Sequence, residues 1–269
     1  MFERLTISFV ALLCAAPVAA QDLAEQVWEA GRMDEFAAVT RMEEIASAQN
    51  IAAAWLPYES DFTNVEALYI APTVRNAIHA AFIDVLDEKY AEEILAFLRS
   101  EAGQAMTAHE LRGRKEFYDD SALEEGRAML TAMVFTEPEK YEMLSDYIAA
   151  NDLIEQNLVI GMNFEMALNA GASEVLPPEM QTDPSLLAAQ LQSEAEWMRT
   201  DITDWLESYL AYSYGDVPED QFREIFEFSV TDAGQAYNDA LFDAYAIYSE
   251  DAARRLGKTL MEMTMATQL

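Results

Sequence analysis

Apolar positions recur along most of the chain at the three-to-four-residue spacing of an amphipathic α-helix. Glycine and proline are few, nine and eight in 269 residues, and the segments between them are rich in Ala, Glu, Leu and Met, which favour helices. The pattern predicts helices over 22–30, 33–55, 60–70, 72–86, 88–99, 101–118, 122–135, 137–170, 184–214, 218–230 and 232–266. The sequence therefore predicts an all-α fold, with one long loop between Gly171 and Pro184.

One segment of the chain occurs twice. Residues 92–105 read EEILAFLRSEAGQA and residues 223–236 read REIFEFSVTDAGQA, while DLAEQ at 22–26 matches DLIEQ at 152–156 at nearly the same offset. Two matches at nearly one offset indicate a tandem duplication. We therefore expect a helical bundle of two tandem helical repeats, 21–150 and 151–269, related by a pseudo-two-fold axis and packed as one compact unit.

In each copy the repeated motif predicts a corner between two helices. A Ser or Thr stands at the N-cap position, and an acid follows in the first turn, where negative charge suits the helix dipole. A glycine at the third helical position allows close contact between the two helices, and the next residue, a glutamine, can reach a backbone carbonyl. We interpret the corner as structural; anion binding at the helix N-terminus is the alternative. The corner residues are Ser100, Gly103 and Gln104 in the first copy and Thr231, Gly234 and Gln235 in the second.

Residues 97–104 resemble the aromatic-x-Ser-x-x-Gly-Gln/Lys signature of a family of secreted bacterial all-helical domains of unknown function. That family usually has tyrosine at the second position and often proline after the serine, where this chain has Leu98 and Glu101. The second copy departs further, with Ser229 and Thr231. The resemblance implies an all-helical extracytoplasmic fold and carries over no catalytic or binding residue.

The first twenty residues predict export. A short basic start, an apolar run over 5–13 and the small residues at 18–20 follow the order of a signal peptide. We expect cleavage after Ala20, which gives a periplasmic or secreted protein and removes Cys14, the only cysteine. Lipid attachment at Cys14 is an alternative, disfavoured by the bulky Leu13 before it. The apolar run is shorter than the ~20 residues of a membrane span.

Charge restricts the class of partner. The chain has 49 acidic and 16 basic residues, a formal net charge of −33. Such a surface repels nucleic acids and anionic lipid headgroups. We predict no nucleic-acid binding and no membrane span, and we expect any partner in the cell envelope to be a cationic or amphipathic protein or peptide.

Motifs for metal and cofactor chemistry are incomplete. His109 and Glu110 begin like the zinc-protease H-E-x-x-H helix, but Gly113 occupies the second ligand position. Thioethers at Met261, Met263 and Met265 are soft ligands of the kind that hold Cu(I). Residues two apart on a helix point in nearly opposite directions, so three thioethers could meet only in an extended tail. We predict no cofactor and no catalytic residue, and core packing is the simpler interpretation of the methionines.

Aromatic residues cluster in the second copy. We expect Trp197 to join this cluster. The aromatic cluster predicts either a packed core or an apolar cleft at the interface of the two repeats. We therefore predict a non-catalytic binding, scaffolding or chaperone-like role. The alternatives are an enzyme that uses acids and tyrosines, or copper handling by the C-terminal methionines. The residues expected to line the cleft are Trp205, Tyr209, Tyr237 and Tyr245.

Overall fold

The computed structural model describes residues 16–57, 61–117 and 120–267, and all regular secondary structure in these ranges is helical. The predicted all-α class is therefore confirmed. Short 3₁₀ helices cover Ala67–Tyr69, Glu88–Tyr90 and Pro178–Met180. The α-helices are α1 (Ala16–Ala30), α2 (Met33–Trp55), α3 (Thr63–Glu66), α4 (Ala71–Val85), α5 (Ala91–Leu98), α6 (Glu101–Glu116), α7 (Asp120–Thr136), α8 (Pro138–Ala150), α9 (Leu153–Ser173), α10 (Pro184–Tyr214), α11 (Glu219–Ser229) and α12 (Asp232–Thr267).

The predicted signal peptide lies mostly outside the described residues, because the description begins at Ala16. Export and cleavage after Ala20 therefore stay predictions. Among the described helices, none combines the length and the hydropathy that crossing a membrane requires.

The prediction of a single helix over 137–170 is wrong. The chain turns between α8 and α9, where Asp152 adopts a left-handed conformation with φ 50° and ψ 32°. Aspartate tolerates this region better than most residues. The preceding Asn151 fixes the turn: its Nδ2 donates to the Tyr147 carbonyl at 2.8 Å and to Ser229 Oγ at 3.1 Å. The contact with Ser229 on α11 therefore helps to fix a helix break that the local hydrophobic periodicity does not reveal.

Two hydrophobic clusters form the core. The first joins α1, α2, α4, α5, α9 and α12 around Trp28 and Phe82. The second joins α7, α8, α10 and α11 around Tyr214 and Phe222. Phe97 packs against both clusters. The two clusters therefore meet at the corner that the repeated motif builds.

Both corners have the same local geometry. Ser100 Oγ accepts the Gly103 N–H at 3.1 Å, and Thr231 Oγ1 accepts the Gly234 N–H at 3.0 Å. A Cβ at either glycine would collide with a backbone carbonyl of the preceding helix, that of Phe97 at the first corner and its counterpart at the second. The close contact expected of glycine is present in both copies.

The two corners differ in their glutamines. Gln104 Nε2 reaches the Arg99 carbonyl at 3.4 Å. Gln235 Nε2 donates to the Ser229 carbonyl at 2.7 Å and to Asn151 Oδ1 at 3.1 Å. The second corner is therefore tied to the α8–α9 turn.

Candidate functional site

Of the four aromatic residues predicted to line an apolar cleft, two are buried, one is half-buried and one is exposed. Tyr209 and Tyr237 are both 6% exposed. Trp205 is 44% exposed and stacks on Tyr209, with ring centroids 5.2 Å apart and planes 2° apart. Tyr245 is half-buried and donates its hydroxyl hydrogen to Glu44 Oε1 at 2.7 Å. Tyr209 stacks on Trp205 and Tyr245 bonds Glu44, so part of this aromatic set is held by packing and hydrogen bonds inside the bundle.

The Glu110 carboxylate on α6 organises the first polar centre inside the bundle. Tyr209 OH donates to its Oε2 and Tyr214 OH to its Oε1, both at 2.6 Å. Burial, and then the negative charge of Glu110, raises the pKa of both tyrosines. The same two causes raise the pKa of Tyr237 from α12. Tyr209 and Tyr214 thus stay protonated and serve as hydrogen-bond donors to Glu110.

A second polar centre lies around Glu44 and Arg114. Burial raises the pKa of Glu44, which is 6% exposed, although the hydrogen bond from Tyr245 acts in the opposite direction. Arg114 Nε donates to Glu43 Oε1 at 3.2 Å, and its Nη2 donates to Glu43 Oε2 and to Thr40 Oγ1. Such a two-point pair is the strong form of an arginine–carboxylate contact.

The two centres are joined along α6, because Arg114 follows Glu110 by one helical turn. We call the set the acid–tyrosine network. Its members are Glu43, Glu44, Glu110, Arg114, Tyr209, Tyr214 and Tyr245.

Sequence reasoning missed the acid–tyrosine network. The structure pairs Arg114 with Glu43 in a part-buried contact. A signal does exist: Glu110 and Arg114 continue the buried face of α6 that Gly103 and Thr107 begin, at helical spacing. Charged residues on an otherwise buried face require partners inside the protein. The sequence does not reveal which partners these are.

The chemistry of the network favours cohesion over catalysis. A phenol with a raised pKa is a poor base and a poor nucleophile at neutral pH. Tyr209 and Tyr214 are also buried. Two surface depressions lie elsewhere, one beside Asn64 and Thr259 and one between α9 and α10. No member of the network lines either depression.

The histidines and methionines stay separate from one another. His79 Nε2 lies 2.9 Å from Glu25 Oε2, and burial, followed by the charge of Arg112, lowers the pKa of His109. The described residues contain no cluster of three or more His, Cys, Asp or Glu suited to a metal ion. Met261, Met263 and Met265 lie within α12, which continues to Thr267, and Met263 packs against the first core cluster. A helix does not bring three such thioethers to one point.

The most exposed apolar side chains include several on the loop before α10 and on its first half. Trp197 was expected in the core, but it is 68% exposed; Leu186 is also 68% exposed and Met180 is 60% exposed. Only Leu191 and Ala195 are buried among the residues of this half. One-sided packing therefore leaves large apolar side chains in solvent.

The same region lacks basic residues. No Lys, Arg or His lies between Lys140 and Arg199, a stretch with ten acidic residues. It forms α8, α9 and the first half of α10. The base next to it, Arg199, is already held by Glu155, with Nε and Oε1 2.5 Å apart. The region therefore combines exposed apolar groups with an excess of negative charge, although Glu155, Glu174 and Glu196 have cationic partners.

No family model, no curated protein and no solved structure matches this chain. The resemblance of residues 97–104 to secreted helical domains therefore stays a prediction. The function has to be argued from the residues themselves.

Proposed function

We propose that this protein is an extracytoplasmic, non-catalytic binding or scaffolding protein whose partners are cationic amphipathic proteins or peptides. One observation carries the proposal: the stretch without basic residues folds into a helical pair, α9 and α10, that leaves Leu186 and Trp197 mostly in solvent. Large exposed apolar side chains on a monomer mark interaction surfaces. The surrounding acids favour a partner of positive charge.

The interior supports the non-catalytic part of the proposal. Tyrosines with strongly shifted pKa values would indicate an enzyme if they lined an open cleft. They are instead buried donors to Glu110 and Glu44, with raised pKa values. This arrangement stabilises helix packing and leaves no accessible acid–base pair at these residues.

We also propose that the chain is a tandem duplication packed about a pseudo-two-fold axis. Three features support it. Helix α6 begins at 101 and α7 ends at 136, and the single helix α12 begins and ends at the same two positions shifted by the offset of the repeated motif, 232 and 267. The matching residues Phe97 and Phe228 stack on each other, with centroids 3.7 Å apart and planes 6° apart, as a pair on such an axis would. The left-handed residues Arg32 and Asp152 directly precede α2 and α9.

This correspondence favours a boundary near Glu137 over the predicted division at 150, because α8 then matches α1 and α9 matches α2. The short match between 22–26 and 152–156 gives no support, since Asp22 lies within α1 whereas Asp152 precedes α9.

Titration of the secreted protein with three peptides of equal length tests the proposed function. The peptides are a cationic amphipathic helix, an anionic amphipathic helix, and a cationic sequence with the same composition as the first but scrambled order. We expect saturable binding of the first alone, weakening with added salt because exposed charges are screened over ~8 Å at physiological ionic strength. A chelator should leave binding unchanged. Equal binding of the anionic helix, or no binding of the cationic one, would overturn the proposal.

A further inference from the structure

A depression lies between the last turns of α9 and the first turns of α10. Its volume is about 230 Å³, below the roughly 300–1,000 Å³ of a small-ligand pocket. It therefore suits one inserted side chain and not a whole cofactor. The lining residues are Met166, Asn169, Ala170, Ser173, Gln181, Thr182, Pro184 and Leu187.

Two exposed apolar side chains on α10, Leu186 and Trp197, form a row that begins beside this depression. Leu186 lies next to the lining residue Leu187, and Trp197 follows Leu186 after three helical turns, so the two share a face about 16 Å apart. Met180 stands on the loop that precedes α10 and is 60% exposed. Pocket and row together extend over a length that a partner helix of several turns can cover.

The carboxylates beside this row lack cationic partners. Glu165 on α9 and Glu194 on α10 are both exposed, and partial burial, followed by the charge of Glu194, raises the pKa of Glu165. Among the described residues neither Glu165 nor Glu194 has an ion-pair partner, and Arg254 and Lys258 on α12, which lie beside the C-terminal end of α9, both contact Glu174. A cation placed between Glu165 and Glu194 would relieve their repulsion.

We propose that the α9–α10 surface, defined as the depression together with Met180, Leu186 and Trp197, binds a cationic amphipathic helix. This inference rests on the proposed function and locates it. One apolar side chain of the partner enters the depression, its apolar face covers Leu186 and Trp197, and its Lys or Arg side chains reach Glu165 and Glu194. A second copy of this chain does not fit, because its charge of −33 repels a like surface.

The test measures the affinity of a fluorescently labelled Lys/Leu amphipathic helix by anisotropy for the whole secreted protein and for three variants. Leu186→Ser with Trp197→Ser removes the exposed row, Ala170→Leu fills the depression, and Glu165→Gln with Glu194→Gln removes the charge. We expect each to weaken binding about tenfold or more, which is 1.4 kcal/mol. The charge variant should also bind with less dependence on salt.

Two matched controls use residues distant in sequence from this surface. Phe135→Ser removes an apolar side chain on α7 that is 80% exposed, and Glu92→Gln with Glu93→Gln removes two exposed acids on α5. Both should bind like the unaltered protein, and circular dichroism of every variant should match it. If the peptide binds and the α9–α10 variants do not weaken it, the location is wrong and the proposed function survives. If the peptide does not bind the unaltered protein, both proposals fail.

Discussion

The acid–tyrosine network and the α9–α10 surface both place carboxylates beside large apolar side chains, but the carboxylates have different partners. In the network, Glu110 and Glu44 accept short hydrogen bonds from tyrosines that are themselves held in the bundle. On the surface, Glu165 and Glu194 have no cationic partner among the described residues, and Trp197 is open to solvent. A satisfied buried network fixes a structure. Exposed carboxylates without a cationic partner are available to a cationic ligand.

The largest expected effect concerns the interior. Glu110→Ala leaves the Tyr209 and Tyr214 hydroxyls without their acceptor, and each buried donor left unpaired costs about 1–3 kcal/mol. We expect a loss of roughly 2–5 kcal/mol in the free energy of unfolding, measured with urea, and a smaller loss for Glu110→Gln, which keeps one acceptor oxygen. Peptide binding by the folded Ala variant should be unchanged. Unaltered stability would mean that Glu110 does not hold the two helices.

If the two corners are copies of one motif, the same substitution at both should lower the free energy of unfolding by a similar amount. Gly103→Leu and Gly234→Leu each force a side chain against a backbone carbonyl, and overpacking costs about 1–3 kcal/mol. Urea unfolding should show similar losses at the two sites. Gln235→Ala should cost more than Gln104→Ala, because only Gln235 also bonds Asn151. Equal stability after Gly103→Leu would remove the close-contact explanation.

These corners also show how much of the fold can be predicted from the sequence. Cap, glycine and periodicity are local features, and they predicted both corners and most helix boundaries. The turn at Asn151–Asp152 and the network depend on partners far away in sequence: Tyr209 is 99 residues from Glu110, and Tyr245 is 201 residues from Glu44. Hydrophobic spacing indicates which face of α6 is buried but not which tyrosine will meet it. For Trp197 a hydrophobicity argument was wrong, because no helix within the described ranges covers that face of α10 and the side chain is 68% exposed.

A pH experiment distinguishes a buried carboxyl from an ion-paired one. The pKa of Glu44 is raised from about 4.5, chiefly by burial, so the folded state binds its proton more tightly than the unfolded chain does. Its stabilising contribution is present below the unfolded pKa and is lost as pH rises through the folded pKa. Glu44→Gln should therefore gain thermal stability relative to the unaltered protein between pH 4 and pH 7.

Glu35→Gln is the matched control for that experiment. The pKa of Glu35 is lowered, chiefly by the hydrogen bond from Arg32, so its contribution is present above the unfolded pKa and is lost as pH falls. Relative to the unaltered protein, this variant should lose stability between pH 4 and pH 7. The same sign of change in both variants would contradict the assignment of Glu44 as a carboxyl whose pKa is raised by burial.

The smallest effect on stability should come from the surface. Trp197 is mostly exposed and makes no aromatic stacking contact among the described residues, so Trp197→Ser should change the free energy of unfolding by within about 0.5 kcal/mol. Urea unfolding and the anisotropy assay on the same sample compare its effects on folding and on binding. A loss of several kcal/mol would place Trp197 in the core and remove it from the binding surface.

Hydrogen–deuterium exchange with and without the cationic amphipathic peptide most directly tests whether the α9–α10 surface, and not the acid–tyrosine network, is the functional region. Amide exchange, read by mass spectrometry of peptic fragments, should slow on peptide binding in the second half of α9 and the first half of α10, over about 162–198. Exchange in α6, which holds Glu110, and in the last turns of α10, which hold Tyr214, should be unchanged. Protection centred on α6 with none on the first half of α10 would contradict the account.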